Sequence, residues 1–446
     1  MARLWTDVVR EKRAIRNQKL AKTYGEDAPS DPRIFAARDI QGLLNLLQDR
    51  EVTTEAIVLA HIAKAGSTLG YVGRAFHPAE SDSVLVAVLR KLGAVIIAKT
   101  NLPQSILVAP REARVLSWLS EARRSALGWG TDIGGSIRIP SHMNGLWGLK
   151  PSSGRFSYEG VEVSQDGQHQ IPSAVGPMAR TLNTLTLASK AVIEAACWTL
   201  DPQMPPMPWR DDVFQQYSQK SLVVGIMVDD GMVKVHPPVE RVFDEVCQKL
   251  EAAGHELIPW DTSLNADCIK LMDAHYVVDG GEDIRRDVGA GGEPFLPHVQ
   301  GLVERGPAIS VYEYWQLNKR KKAAQAAYNQ MWNAMKSSSG RPVDVLIVPT
   351  MPRTAVPHRA LRWPGYTKLF NFLDYTALSF PAGKASKVLD PSLPTGYEPR
   401  NATDAWNWGL YDIEAIDGHS VGLHIVGRRL QEEMVLGIAH QIQKIL

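Results

Sequence analysis

Gly128-Trp129-Gly130-Thr131-Asp132-Ile133-Gly134-Gly135-Ser136-Ile137-Arg138-Ile139-Pro140, running on through Asn144-Gly145-Leu146-Trp147-Gly148-Leu149-Lys150-Pro151, is the stretch on which the reading of this chain turns. Four glycines fall in the nine residues that end at Ser136. Glycine reaches positive φ freely and lets another chain approach the backbone closely. Gly134 and Gly135, leading into a serine, can therefore bare its hydroxyl and aim neighbouring N–H groups at one point. Acyl transfer needs that arrangement: a nucleophile, and donors placed where negative charge develops on the carbonyl oxygen. Composition alone is also met by a glycine-rich turn with an incidental serine.

The chain has 446 residues, a length that suits one large α/β domain over 1–446. Hydrophobic residues at 44% with 22% charged are ordinary globular composition, enough to bury a sizeable core. A net charge of +1 gives no electrostatic case for nucleic acid or acidic surfaces as partners. Cys197, Cys247 and Cys268 are widely spaced, which suggests neither a disulfide framework nor a zinc site. There is no metal-ligand cluster and no internal repeat, so neither metal nor cofactor is expected. No apolar run reaches membrane-spanning length, and Met1 to Lys22 lacks an apolar signal core. A cytoplasmic protein with no membrane partner is the expectation.

Hydrophobic periodicity outlines the rest. Residues 1–65 read as helices, with Leu43, Leu44 and Leu47 at helical spacing and Thr53-Thr54-Glu55 opening an amphipathic run. A helix is expected over Asp82–Leu92, then a buried strand over Gly93–Asn101. Leu222–Met227, Pro237–Ala253 and His255–Trp260 read as strand, helix and strand. Residues 264–340 read as mostly helical, with Arg320-Lys321-Lys322 on a solvated face, and Val343–Thr350 as a core strand. His358, in the loop beyond, is a candidate substrate contact. This alternation predicts an α/β fold with a mixed, mostly parallel sheet flanked by helices.

G-T-D-I-G-G-S-I-R-I-P-S followed by N-G-L-W-G-L-K-P-S-S-G-R resembles the core motif of the amidase signature family, and in particular its fungal acetamidase-type members. The resemblance implies that Ser136 attacks an amide carbonyl. It also implies that the N–H groups of Ile133, Gly134, Gly135 and Ser136 form the oxyanion hole, with Asp132 and Arg138 in support. Further matching segments are R-E-V-T-T-E-A-I-V-L-A-H, Ser173–Arg180, Asn371–Tyr375, Phe380–Ala382, Ser420–Arg429 and Glu432-Glu433. The implied reaction is hydrolysis of small, acetamide-like amides through a serine acyl-enzyme.

Two departures bear on mechanism. The family uses a Ser–Ser–Lys triad, its lysine in a Lys-Asp pair and its bridging serine in a G-G-S-[ST]-G-G loop. This chain has no Lys-Asp dipeptide, and the block that should carry it is absent, with Lys64-Ala65-Gly66-Ser67 at the join. Lys99 falls in a different family segment and reads as structural. In place of the expected P-G-G-S-T-G-G-E-G-A-L-L-A-L stands Leu107 to Ser120, L-V-A-P-R-E-A-R-V-L-S-W-L-S. Read one base out of register, Gly-Gly pairs yield only Val, Ala, Glu or Gly, Glu-Gly only Lys or Arg, and Leu-Ala only Leu, Ser, Trp or a stop. Every residue from Leu107 to Ser120 obeys its constraint. The aberrant segment 106–125 therefore reads as an out-of-frame copy of the bridging-serine loop, and the fold as truncated. Without the lysine the chain is expected to be impaired. The alternatives are a non-catalytic pseudo-amidase scaffold or decayed gene product and, less favoured, a tRNA-dependent amidotransferase subunit.

Overall fold

The computed structural model describes residues 126–446 apart from 358, 359, 391, 394 and 395, most of 68–106, and a few residues near the start. Nearly all of 1–65, the join at Lys64–Ser67, residues 107–125 and His358 lie outside the described residues. The described strands are β1 (Leu127–Asp132), β2 (Trp147–Lys150), β3 (Ala174–Ala179), β4 (Val223–Ile226), β5 (Glu256–Pro259), β6 (Val345–Pro349), β7 (Ala377–Lys384) and β8 (Ser420–Val426). The helices that matter below are α1 (Val84–Lys91), α2 (Arg138–Asn144), α3 (Pro237–Ala252), α4 (Asn265–His275), α5 (Val311–Ala334), α6 (Gly365–Phe372), α7 (Ala402–Trp408) and α8 (Glu432–Ile445).

The strands join in one sheet of order β1-β3-β2-β7-β8-β6-β4-β5. Val345, Leu346, Ile347 and Val348 are fully buried, as an unbroken apolar run in a strand covered on both faces should be. α3 covers this part of the sheet. It starts on Pro237 and Pro238, which need no N–H partner in a first turn, and it stops before Gly254, whose φ of +84° an L side chain rarely adopts. Its buried face is Val239, Val242, Phe243, Val246 and Leu250, at the three-to-four spacing of one helical stripe.

The strand–helix–strand reading over 222–260 holds, and β4 pairs in parallel with both β5 and β6. The expectation of a mostly parallel sheet does not hold. β1/β3, β3/β2, β2/β7, β7/β8 and β8/β6 are all antiparallel. Long connections reach antiparallel neighbours as readily as parallel ones, so one β-α-β unit does not set the direction of the rest. The helix before Gly93 is present as α1, capped by Ser83, whose hydroxyl accepts from Val86 N–H. The strand expected after it is not formed over Ala94–Ile96, where Val95 and Ile96 are exposed. No described strand pairs with it to take up its backbone groups. Nor is Arg320-Lys321-Lys322 a solvated run. Lys321 is buried in α5 and donates to the Gln170 carbonyl, because this helix turns one basic residue inward.

Three histidines are buried in positions that disfavour their charged form. Burial holds His142 and His424 below the ordinary value, and burial together with Arg353 takes His236 down to about 4. The unfolded chain takes up protons on these rings near pH 6.5, whereas folded His236 resists until near pH 4. The contribution of His236 to stability is therefore complete above pH 6.5 and is lost as pH falls toward 4, and those of His142 and His424 are lost in the same direction. For His236 alone this amounts to about 3 kcal/mol. Thermal unfolding should show Tm falling across that window, with a shallower fall in His236→Gln; a flat Tm would contradict the assignment.

Candidate active site

β1 ends at Asp132, and the five residues that follow turn the chain into α2. Asp132 is wholly buried and organises that turn. Its Oδ1 accepts the Gly135 N–H at 2.8 Å, and its Oδ2 accepts the Ile137 N–H at 3.1 Å. Arg138, equally buried, donates Nε to Oδ2 at 3.0 Å and Nη2 to Oδ1 at 2.9 Å. The remaining guanidinium valences go to the Thr367 carbonyl and to Asn371 Oδ1, at 2.8 and 2.6 Å. Asn371 closes the circuit by donating Nδ2 to Asp132 Oδ1 at 2.9 Å. Burial opposes ionisation of Asp132, but the Arg138 charge and hydrogen bonds, Lys150 and Asn371 outweigh it and hold the carboxyl well below the usual carboxylate range. The supporting pair expected from the sequence is thus a buried ion pair, hydrogen-bonded on both sides.

Peptide orientation in the loop is set from outside it. The Thr367 hydroxyl donates to the Gly134 carbonyl at 2.7 Å, and the Tyr276 hydroxyl to the Ile133 carbonyl at 2.6 Å. Burial, reinforced by Asp273 and Asp132, raises the Tyr276 pKa well above its ordinary value, which keeps this donor protonated. In a trans peptide the N–H points opposite to the C=O, so fixing the Ile133 carbonyl fixes the Gly134 N–H on the other side. Gly135 adopts φ +131°, and a Cβ there would stand 2.3 Å from Thr367 Oγ1 and 2.6 Å from Ile139 Cδ1. No other residue fits.

Ser136 follows, half-buried, at the approach to α2. No described residue accepts a hydrogen bond from the N–H of Ile133, Gly134 or Ser136. The N–H of Gly135 differs from the expectation, because it is spent on Asp132. Of the four N–H groups expected to serve, that of Gly135 is therefore already engaged, and those of Ile133, Gly134 and Ser136 have no described acceptor. Two described lysines stand close to this network, and neither donates to Ser136. Lys150, pushed down to about 8 chiefly by burial, gives its ammonium to the Pro151 carbonyl at 2.7 Å. Lys368 is paired with Asp273 and lies 5.4 Å from the Tyr276 ring centroid.

Tyr276 and Thr367 were not legible as site residues, and Asn371 was legible only as part of a matching segment. Each acts through hydrogen bonds across more than a hundred residues of chain, and no local pattern marks such a contact. A second buried polar network, Ser152 with Thr376 and Glu432, and Arg155 with Glu433, ties the β2 exit to α8. It accounts for the matching Glu432-Glu433 pair in structural terms.

The Amidase family profile matches residues 59–116 and 122–436. This chain belongs to the amidase family. It is 64% identical to Amidase 1 of Gibberella moniliformis, with all of both chains covered, over an alignment of 521 positions. Because this chain has only 446 residues, dozens of those positions have no counterpart here. Identity to the acetamidase of Aspergillus oryzae is 34%, covering 82% of this chain and 72% of that one. The amidase fold is confirmed by a solved fatty acid amide hydrolase, which superposes with a TM-score of 0.83 at 25% identity over 100% of this chain and 91% of that one. The protein is accordingly an amidase-family hydrolase of amide bonds. None of its described helices is long and apolar enough to cross a membrane.

Removing one partner of a buried ion pair leaves the other uncompensated. Arg138→Met should destabilise the fold by about 3–5 kcal/mol, whereas Ser136→Ala, which breaks no described hydrogen bond, should stay within about 0.5 kcal/mol. Urea unfolding of the two variants decides this; equal losses would contradict the assignment.

Proposed function

We propose that Ser136 accepts the acyl group of a small aliphatic amide, and that this chain does so slowly. The observation that supports it most is the Asp132–Arg138 clamp. It holds the loop so that a half-buried serine hydroxyl follows directly on the N–H groups of Ile133 and Gly134. On this reading Ser136 Oγ attacks the amide carbon, and the developing oxyanion is met by the N–H groups of Ile133, Gly134 and Ser136. Collapse expels ammonia, and water then releases the carboxylic acid from the acyl-enzyme. The acetamidase relatives favour acetamide-like substrates. The three free cysteines suit a reducing, cytosolic setting.

The serine needs a base, and the sequence supplies none in the family's position. The unmatched positions against Amidase 1 support a lost block, and the codon constraints over Leu107–Ser120 support a frame error in the bridging-serine loop. If genomic DNA encodes no G-G-S-T-G-G in a one-base shift there, the frame reading fails. The kinetic consequence is separate. Loss of a member of a nucleophile–base set costs on the order of 10⁴-fold or more in rate. Acetamide turnover by this chain should fall short, by that factor, of a version with the lysine block and glycine–serine loop restored. Equal rates would overturn the proposal, while no turnover by either version would remove acetamide as the substrate. The scaffold reading remains the alternative, favoured by the same missing block.

A further inference from the structure

The loop that leaves β6 carries a buried cation that no described group balances. Arg353 is 1% exposed, and none of Nε, Nη1 and Nη2 has a hydrogen-bond partner among the described residues. Thr354, next in the chain, is equally buried, and its hydroxyl is equally unpartnered. Folded proteins rarely leave one such donor unmet, and here four fall in consecutive residues. Burial takes the Arg353 pKa down to about 10, so the group remains charged at neutral pH. Its described neighbour is the face of Trp406 in α7, 4.6 Å from Cζ to the ring centroid. A second guanidinium, Arg362, lies 4.7 Å from the same ring, so positive charge accumulates here.

The backbone of this loop is held against the helix that Ser136 leads into. His142 Nδ1, in α2, accepts the Gly422 N–H at 2.8 Å, which leaves the proton on Nε2; that nitrogen donates to the Arg353 carbonyl at 2.9 Å. On the other side, His236 N–H donates to the Pro352 carbonyl at 2.7 Å. The unpaired charge is therefore built into a fixed segment. A buried guanidinium that is not structurally paired wants a planar, singly charged acceptor that takes two parallel N–H groups, and the Thr354 hydroxyl offers a third donor.

We propose that Arg353 and Thr354 form a binding subsite for the carboxylate of a small molecule. The subsite does not depend on Ser136 being the acyl acceptor, and it is tested without turnover. Acetate is titrated into the purified full chain with chloride at equal ionic strength as the control, and Tm and calorimetric binding are followed. The wild-type chain should bind acetate and gain thermal stability that chloride does not give. Arg353→Met should weaken that binding at least about tenfold, with Thr354→Val giving a smaller loss. In acetate-free buffer Arg353→Met should be at least as stable as wild type, since it removes an uncompensated buried charge. A structural role for Arg353 predicts the reverse. Three results overturn the proposal: no acetate effect beyond chloride, an undiminished effect in Arg353→Met, or a strongly destabilised Arg353→Met chain.

Discussion

The wholly buried pairing of Asp132 with Arg138 is the constraint on which the rest of this structure depends. Two buried charges are costly to desolvate, and they are tolerated only when every lone pair and proton finds a partner. Here both groups are hydrogen-bonded on both sides. The carboxylate is shared among Arg138, Asn371 and the N–H groups of Gly135 and Ile137, and the guanidinium among Asp132, Asn371 and the Thr367 carbonyl. The end of β1, the start of α2 and the whole of α6 are thereby locked together. A loop of glycines, which would otherwise sample many conformations, is given one.

On the proposed reading that loop carries the chemistry. Tyr276 and Thr367 set the direction of two successive carbonyls, and Gly135 occupies a place closed to any side chain. Donors fixed before a substrate arrives need no reorganisation when charge develops, which is the physical basis of oxyanion stabilisation. On the same reading the protein retains a rigid cradle beside Ser136, while the two described lysines near the network donate elsewhere, Lys150 to the Pro151 carbonyl and Lys368 to Asp273. Cradle and base are separable parts of such a site, and the proposal made above is that this chain keeps the first without the second.

Residues 128–151 were legible because their chemistry is local. Glycine spacing, the serine and the charged pair six residues apart all sit within one turn of chain, and the structure brings Asp132, Ile133, Gly134, Ser136 and Arg138 together. The strand–helix–strand over 222–260 was legible for the same reason, its periodicities being unambiguous. Strand direction was not, because it is decided by where long connections return, and β7 and β8 return antiparallel. The Gly93–Asn101 run failed as a strand over its described part because an apolar run becomes one only where a neighbour accepts its hydrogen bonds. Lys321 failed as a surface residue because a charge run says nothing about which member faces inward. Tyr276, Thr367 and Asn371 act at the site through long-range bonds that only the folded chain reveals.

The most direct test of a cradled but unaided serine is the pH dependence of its reaction with a fluorophosphonate, followed by intact mass and peptide mapping. The account predicts one adduct, on Ser136, forming slowly, at a rate that climbs about tenfold per pH unit between about pH 6.5 and 9.5 without levelling, as for an alcohol deprotonated by solvent alone. A rate that levels off within that range would reveal a resident base, and that result, or an adduct on any other residue, would contradict it.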